Sequence, residues 1–189
     1  MYEPAFSRCR RLLISGAISI ALASVAAPSR AQVFAVGGGG TLSNDGSSTA
    51  GPSSFSKGGY FGFLELQLER SAAIQLRAGK FRLPGKLSDS PDISVTEASL
   101  TISYLFKEDW FEAGFYGGGG IFRVVPDGPT ALQSPADLRE NVWGLKGGVL
   151  TVVHLVKNFE LRLEGGVTYL AATYTHSPIV LGAGLSYRF

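Results

Sequence analysis

The sequence predicts an all-β fold: an eight-stranded antiparallel up-and-down transmembrane β-barrel, preceded by a signal peptide. Three observations predict it. Apolar and polar residues alternate with period two through eight successive runs. The connections between runs alternate between long and short. An export leader opens the chain.

The leader has three parts. Arg8, Arg10 and Arg11 form a positive n-region, and Leu12 to Ala27 is apolar and uncharged. Ser29-Arg30-Ala31 places small residues at −3 and −1 of a cleavage site before Gln32, with an earlier cut near Ala26 or Ala27 as the alternative. A membrane-anchoring helix needs roughly 20 residues, and this apolar run is about sixteen. Residues 1–31 are therefore read as a cleaved signal peptide and 32–189 as the barrel domain. The single cysteine, Cys9, precedes the apolar run. The mature chain is then cysteine-free, which excludes disulfides, thiolate metal sites and a cysteine nucleophile.

Formal net charge is +2, but the leader carries Arg8, Arg10, Arg11 and Arg30 against Glu3 alone. Taking those away leaves 13 of 17 bases and 14 of 15 acids, a net of −1, so the basic signature of a nucleic-acid partner disappears.

The runs are 32–41, 58–69, 72–82, 94–106, 110–123, 140–155, 159–170 and 178–189. Long segments rich in Gly, Pro and Ser follow the first, third, fifth and seventh: 42–57, 83–93, 124–139 and 171–177. Short turns follow the second, fourth and sixth, at Arg70-Ser71, Lys107-Glu108-Asp109 and Lys157-Asn158. An up-and-down barrel requires this alternation, whereas the Greek-key connections of a sandwich mix the two kinds.

Each run has one apolar face. In the eighth, Ile179, Leu181, Ala183, Leu185, Tyr187 and Phe189 oppose Val180, Gly182, Gly184, Ser186 and Arg188. In the seventh, Phe159, Leu161, Leu163, Val167 and Tyr169 oppose Glu160, Arg162, Glu164 and Thr168. The second, third and fourth repeat the pattern. A soluble barrel holding a lipid would turn the apolar set inward; a membrane barrel turns it outward. Aromatics near strand ends (Tyr104, Phe106, Phe111, Phe159, Tyr187 and Phe189) fit an interfacial girdle. The runs also exceed the usual five or six residues of soluble strands and suit a tilted crossing of the bilayer. Both point to the inverted arrangement.

The ending Leu185-Ser186-Tyr187-Arg188-Phe189 carries a family resemblance. It looks like the terminal signal of outer-membrane barrel proteins, with Leu185, Tyr187 and Phe189 as the residues read by the barrel-assembly machinery. With the leader and the eight runs, residues 32–189 resemble the small eight-stranded outer-membrane barrels of OmpA/OmpX type. The resemblance implies Sec export, residence in the outer membrane, contact with outer-membrane lipid and lipopolysaccharide, and a monomer. No separate peptidoglycan-binding domain is expected after the last run.

With the apolar face toward lipid, Glu65, Gln67, Glu69, Gln75, Arg77, Glu97, Glu112, Lys146, Glu160, Arg162, Glu164 and Arg188 fall inside. An eight-stranded barrel is filled by its own side chains, and mixed charges allow ion pairs to neutralise the set. The expected lumen is a structural polar network of Glu65, Arg77, Glu97, Glu112, Lys146, Arg162, Glu164 and Arg188. Its alternative use is a narrow solute path; a wide channel needs roughly 16 strands.

Other candidates carry less. Gly37–Gly40 and Gly117–Gly120 lack the following helix and Lys-Ser/Thr pair of a phosphate loop and read as strand glycines. Some eight-stranded outer-membrane barrels modify lipid A with a Ser/His pair and an acid. Here, adjacent His176 and Ser177 point apart in an extended segment, and His154 falls on the inward set of the sixth run. Two distant histidines do not make a metal site. No cofactor, metal or catalytic residue is expected. The resulting expectation is a non-enzymatic outer-membrane protein with a role in envelope integrity or in surface interaction through its outer loops. The alternative is a small passive pore for small or hydrophobic solutes, with a lipid A-modifying enzyme third.

Overall fold

The computed structural model describes residues 33–44, 55, 57–69, 71–84, 92–127, 139–173 and 177–189. The leader with Cys9, most of the long connections, and His176 lie outside the described residues.

Eight strands follow one another: β1 (Phe34–Asn44), β2 (Lys57–Gln67), β3 (Ala72–Leu83), β4 (Ile93–Lys107), β5 (Phe111–Pro126), β6 (Glu140–Val156), β7 (Phe159–Leu170) and β8 (Ile179–Arg188). Each pairs antiparallel with its neighbour, and β1 pairs with β8, closing the barrel. Closure matters because lipid offers no partner to an unpaired strand edge. Short turns join β2 to β3, β4 to β5 and β6 to β7, so the two strand termini share the short-turn end. The other connections gather at the opposite, long-loop end.

β8 shows which face is inside. Leu181 and Leu185 are 43% and 54% exposed, whereas Ser186 is 2% exposed. The same inversion runs round the wall, where Val36, Leu64, Leu76, Leu100 and Leu145 lie in register, all exposed. A belt of this kind is stable only against hydrocarbon. The barrel is a transmembrane one.

The aromatics expected to form a girdle all cluster at the short-turn end. Tyr104 and Phe106, Phe159 and Tyr187, and Tyr187 and Phe189 make edge-to-face pairs there, with ring centroids 5.5, 5.1 and 5.0 Å apart. Tyr60, Trp143 and Tyr169 mark the long-loop end on the outer face.

The glycine runs lie within β1 and β5, as expected of strand glycines. Their value is close approach. A Cβ at Gly118 or Gly120 would stand 2.7 Å from the Cα of Thr101 or Ser99 on β4, and the ring of Phe63 covers Gly37.

Candidate functional site

The barrel interior is the one place where the described residues concentrate buried chemistry. From the short-turn end upward it is layered.

At the short-turn mouth, Glu112 and Glu160 are almost fully buried. Arg188 Nε forms an ion pair with Glu160 Oε1 at 2.7 Å, and its Nη1 donates to Glu112 Oε1 at 3.5 Å. Lys107 Nζ is 3.1 Å from Glu112 Oε1, and Ser186 donates to Glu160 Oε2 at 3.0 Å. His154 stands between the two acids, Nε2 3.3 Å from Glu112 and Nδ1 3.4 Å from Glu160. Both ring nitrogens therefore face carboxylates, not a hydroxyl.

Above this, Arg162 on β7 donates from Nη2 to Glu65 Oε2 on β2 at 2.6 Å. The two strands are separated by β8 and β1. The bridge is possible because the inward positions between them are glycines: Arg162 is in register with Gly184, and Gly184 with Gly39. The guanidinium also rides over the Phe63 ring, 4.6 Å from its centroid.

The next layer joins four strands. Arg77 on β3 reaches across the lumen to hydrogen-bond Glu164 on β7, and its Nε lies 2.8 Å from Glu97, close enough for an ion pair but not aligned as a hydrogen bond. Lys146 on β6 donates to the same Glu97 oxygen at 3.1 Å, passing the bare backbone of Gly118 and Gly120 on β5. Ser99 adds a donor to Glu97 at 3.3 Å. Arg77 covers the Phe61 ring, 3.9 Å from its centroid.

Five carboxylates (Glu65, Glu97, Glu112, Glu160, Glu164) thus meet five cations (Arg77, Lys107, Lys146, Arg162, Arg188). The interior is neutral by pairing, as buried charge must be. All eight residues expected to form the polar network belong to it. Glu69 is a correction: β2 ends at Gln67, and Glu69 lies exposed in the following turn. Lys107 and His154 complete the set.

The expected polar fill did not include a fourth, uppermost layer. At the long-loop end the inward residues are Phe81, Leu83, Ile93, Val95, Phe122, Val124, Leu170, Ala172 and Val180, a dry plug. Here the apolar residues turn toward the lumen, and the expectation of a polar fill gives way to hydrophobic packing. The signal was present: near the long-loop ends of β3, β4 and β5 the alternation inverts, with Phe81, Leu83, Val95, Phe122 and Val124 inward and Lys80, Arg82, Thr96 and Arg123 outward. Between the layers, the cavity bounded by Gln75, Arg77, Tyr116, Lys146 and Glu164 measures about 10 Å³, room for about one water.

Comparison with known proteins follows the same division between fold and chemistry. No family model matches the chain, and no curated protein does. Solved structures do. Neisserial surface protein A superposes with a TM-score of 0.59 at 11% identity, covering 84% of this chain and 97% of that one. The N-terminal β-barrel domain of Pseudomonas aeruginosa OprF gives 0.57 at 13% identity, covering 83% and 97%. Ail, the attachment invasion locus protein of Yersinia pestis, gives 0.53 at 14% identity, covering 84% and 99%. The chain has the fold of the small eight-stranded outer-membrane barrels. At these identities the likeness concerns the fold alone.

Proposed function

We propose that this protein is an integral, monomeric outer-membrane barrel, exported through the Sec pathway, that serves envelope integrity or surface interaction and conducts no solute. The observation that carries the reading is the filled lumen: neutral ion-pair layers lie beneath an apolar plug whose Phe122 and Val124 are 0% exposed. A solute would have to open both, breaking buried charge pairs at one level and hydrophobic packing at the next. Such an interior makes the barrel a rigid mount, and function then resides at its outer rim and loops. The similarity to Ail, named for attachment and invasion, supports the surface role. A non-catalytic role fits His154, whose two nitrogens are engaged by Glu112 and Glu160.

Planar-bilayer recording on the purified protein tests this reading. No reproducible single-channel steps are expected; steps that scale with protein added would replace it with the passive pore.

A further inference from the structure

The outer wall carries charge in one place. The outward-facing cations of the described strands are Lys80 and Arg82 on β3 and Arg123 on β5. Lys80, Thr96 and Arg123 lie in register across β3, β4 and β5, with Tyr60 before them on β2 and Asn141 after them on β6. Arg82 is engaged: its Nε is 3.4 Å from Asp127, which also accepts from Ser94 at 2.6 Å. Lys80 and Arg123 have no ion-pair or hydrogen-bond partner among the described residues.

The row stands at a particular depth. One step toward the barrel middle, the outer face is Gly62, Ala78, Ala98, Ile121 and Trp143, all inside the apolar belt. Tyr60 and Trp143, 67% and 59% exposed, mark the level where aromatic rings meet lipid head groups. Cations held at the edge of hydrocarbon are costly unless an anion accompanies them. Just below Lys80, the small residues Gly62 and Ala78 leave a furrow of about 700 Å³ in the wall, walled by Tyr60, Leu64 and Leu76 and capped by Lys80 and Thr96.

We propose that this strip is a binding site for a phosphate-bearing lipid of the surrounding leaflet. The phosphate lies between Lys80 and Arg123, with the Thr96 hydroxyl as a further donor, and an acyl chain lies in the furrow over Gly62 and Ala78. Strands β3 and β5 are about 10 Å apart at their backbones, within reach of two long cationic side chains converging on one anionic head group. A protein partner suits the strip less well, because the flanking residues below it are those of the lipid-facing belt. The inference rests on the barrel spanning a bilayer and is independent of whether it conducts.

The protein has two tryptophans, Trp110 and Trp143. With Trp110→Phe, Trp143 is the single emitter beside the strip. The protein is placed in phosphatidylcholine vesicles containing a minor fraction of brominated phosphatidic acid, or the same fraction of brominated phosphatidylcholine, and quenching is compared. Enrichment of the acidic lipid of about fivefold per unpaired cation is expected. That enrichment is expected to vanish in Lys80→Gln/Arg123→Gln and to weaken in Gly62→Val, which fills the furrow without touching the charges. Variants are scored only after their heat-dependent gel shift shows a folded barrel. Equal quenching by the two lipids, or an excess that survives the double charge replacement, overturns the site.

Discussion

Arg162 and Glu65 meet at 2.6 Å across two intervening strands, over the glycines of β8 and β1. The pair ties opposite sequence regions through the lumen, so its loss is felt by the whole barrel. Replacing Arg162 by Met leaves Glu65 buried without its cation and is expected to cost about 3–5 kcal/mol. Arg162→Met combined with Glu65→Leu should recover most of that loss. Urea-dependent folding into vesicles measures both. A double variant no better than the single would show that the pair matters for packing and not for charge compensation.

Leu181 and Gly182 test the orientation of β8. Leu181→Arg puts a charge into the lipid-facing belt, at a cost of about 2–4 kcal/mol near the midplane. Gly182→Ser faces the lumen, where an added Cβ would stand 2.6 Å from Glu164 Oε1. The serine must displace the Glu164 carboxylate and disturb its bond to Arg77, so it too is expected to destabilise, while leaving insertion intact. Insertion yield separates the two substitutions; equal insertion defects would refute the assigned faces.

Phe122 is the largest fully buried side chain of the plug. Phe122→Ala should lower stability by about 3–5 kcal/mol through the cavity left behind. Conductance should remain absent, because the Arg77, Glu97, Lys146 and Glu164 layer below is untouched. Channel activity in this variant would locate the barrier in the plug alone.

Phe189 closes the aromatic ladder with Tyr187, and its backbone N–H donates to Phe34 O at 2.8 Å, joining the last residue to β1. If Leu185, Tyr187 and Phe189 act as the assembly signal, Phe189→Ser slows barrel formation in cells far more than refolding in detergent. Pulse-chase of the heat-dependent mobility shift, compared with detergent refolding rates, checks this. Equal slowing in both settings would reduce Phe189 to a stabilising contact.

Much of the barrel was legible in the chain. Strand bounds agree to within a few residues because the period-two signal ends where turn residues begin, as at Lys157-Asn158 between β6 and β7. The inward set was legible for the same reason: Glu160, Arg162 and Glu164 occupy alternate positions of one strand. Glu69 was misplaced because alternation continues past the last paired residue, and pairing cannot be seen along a single strand. Lys107 escaped notice because it sits at a strand end, where turn and lumen positions look alike.

The sequence by itself determined the number of strands, their order and which residues share a face, since each follows from local alternation and turn chemistry. It also determined that the interior would hold balanced charge. Only the tertiary structure decided which acid meets which base, because partners such as Arg77 and Glu164 are separated by 87 positions and brought together by the barrel's register. The same closure decided that glycines on β1, β5 and β8 would open lanes for those bridges, that the long-loop end would be sealed by apolar side chains, and that Lys80 and Arg123 would flank Thr96 in one row on the outer wall. These are relations between strands, set by how the sheet closes on itself, and no single strand encodes them.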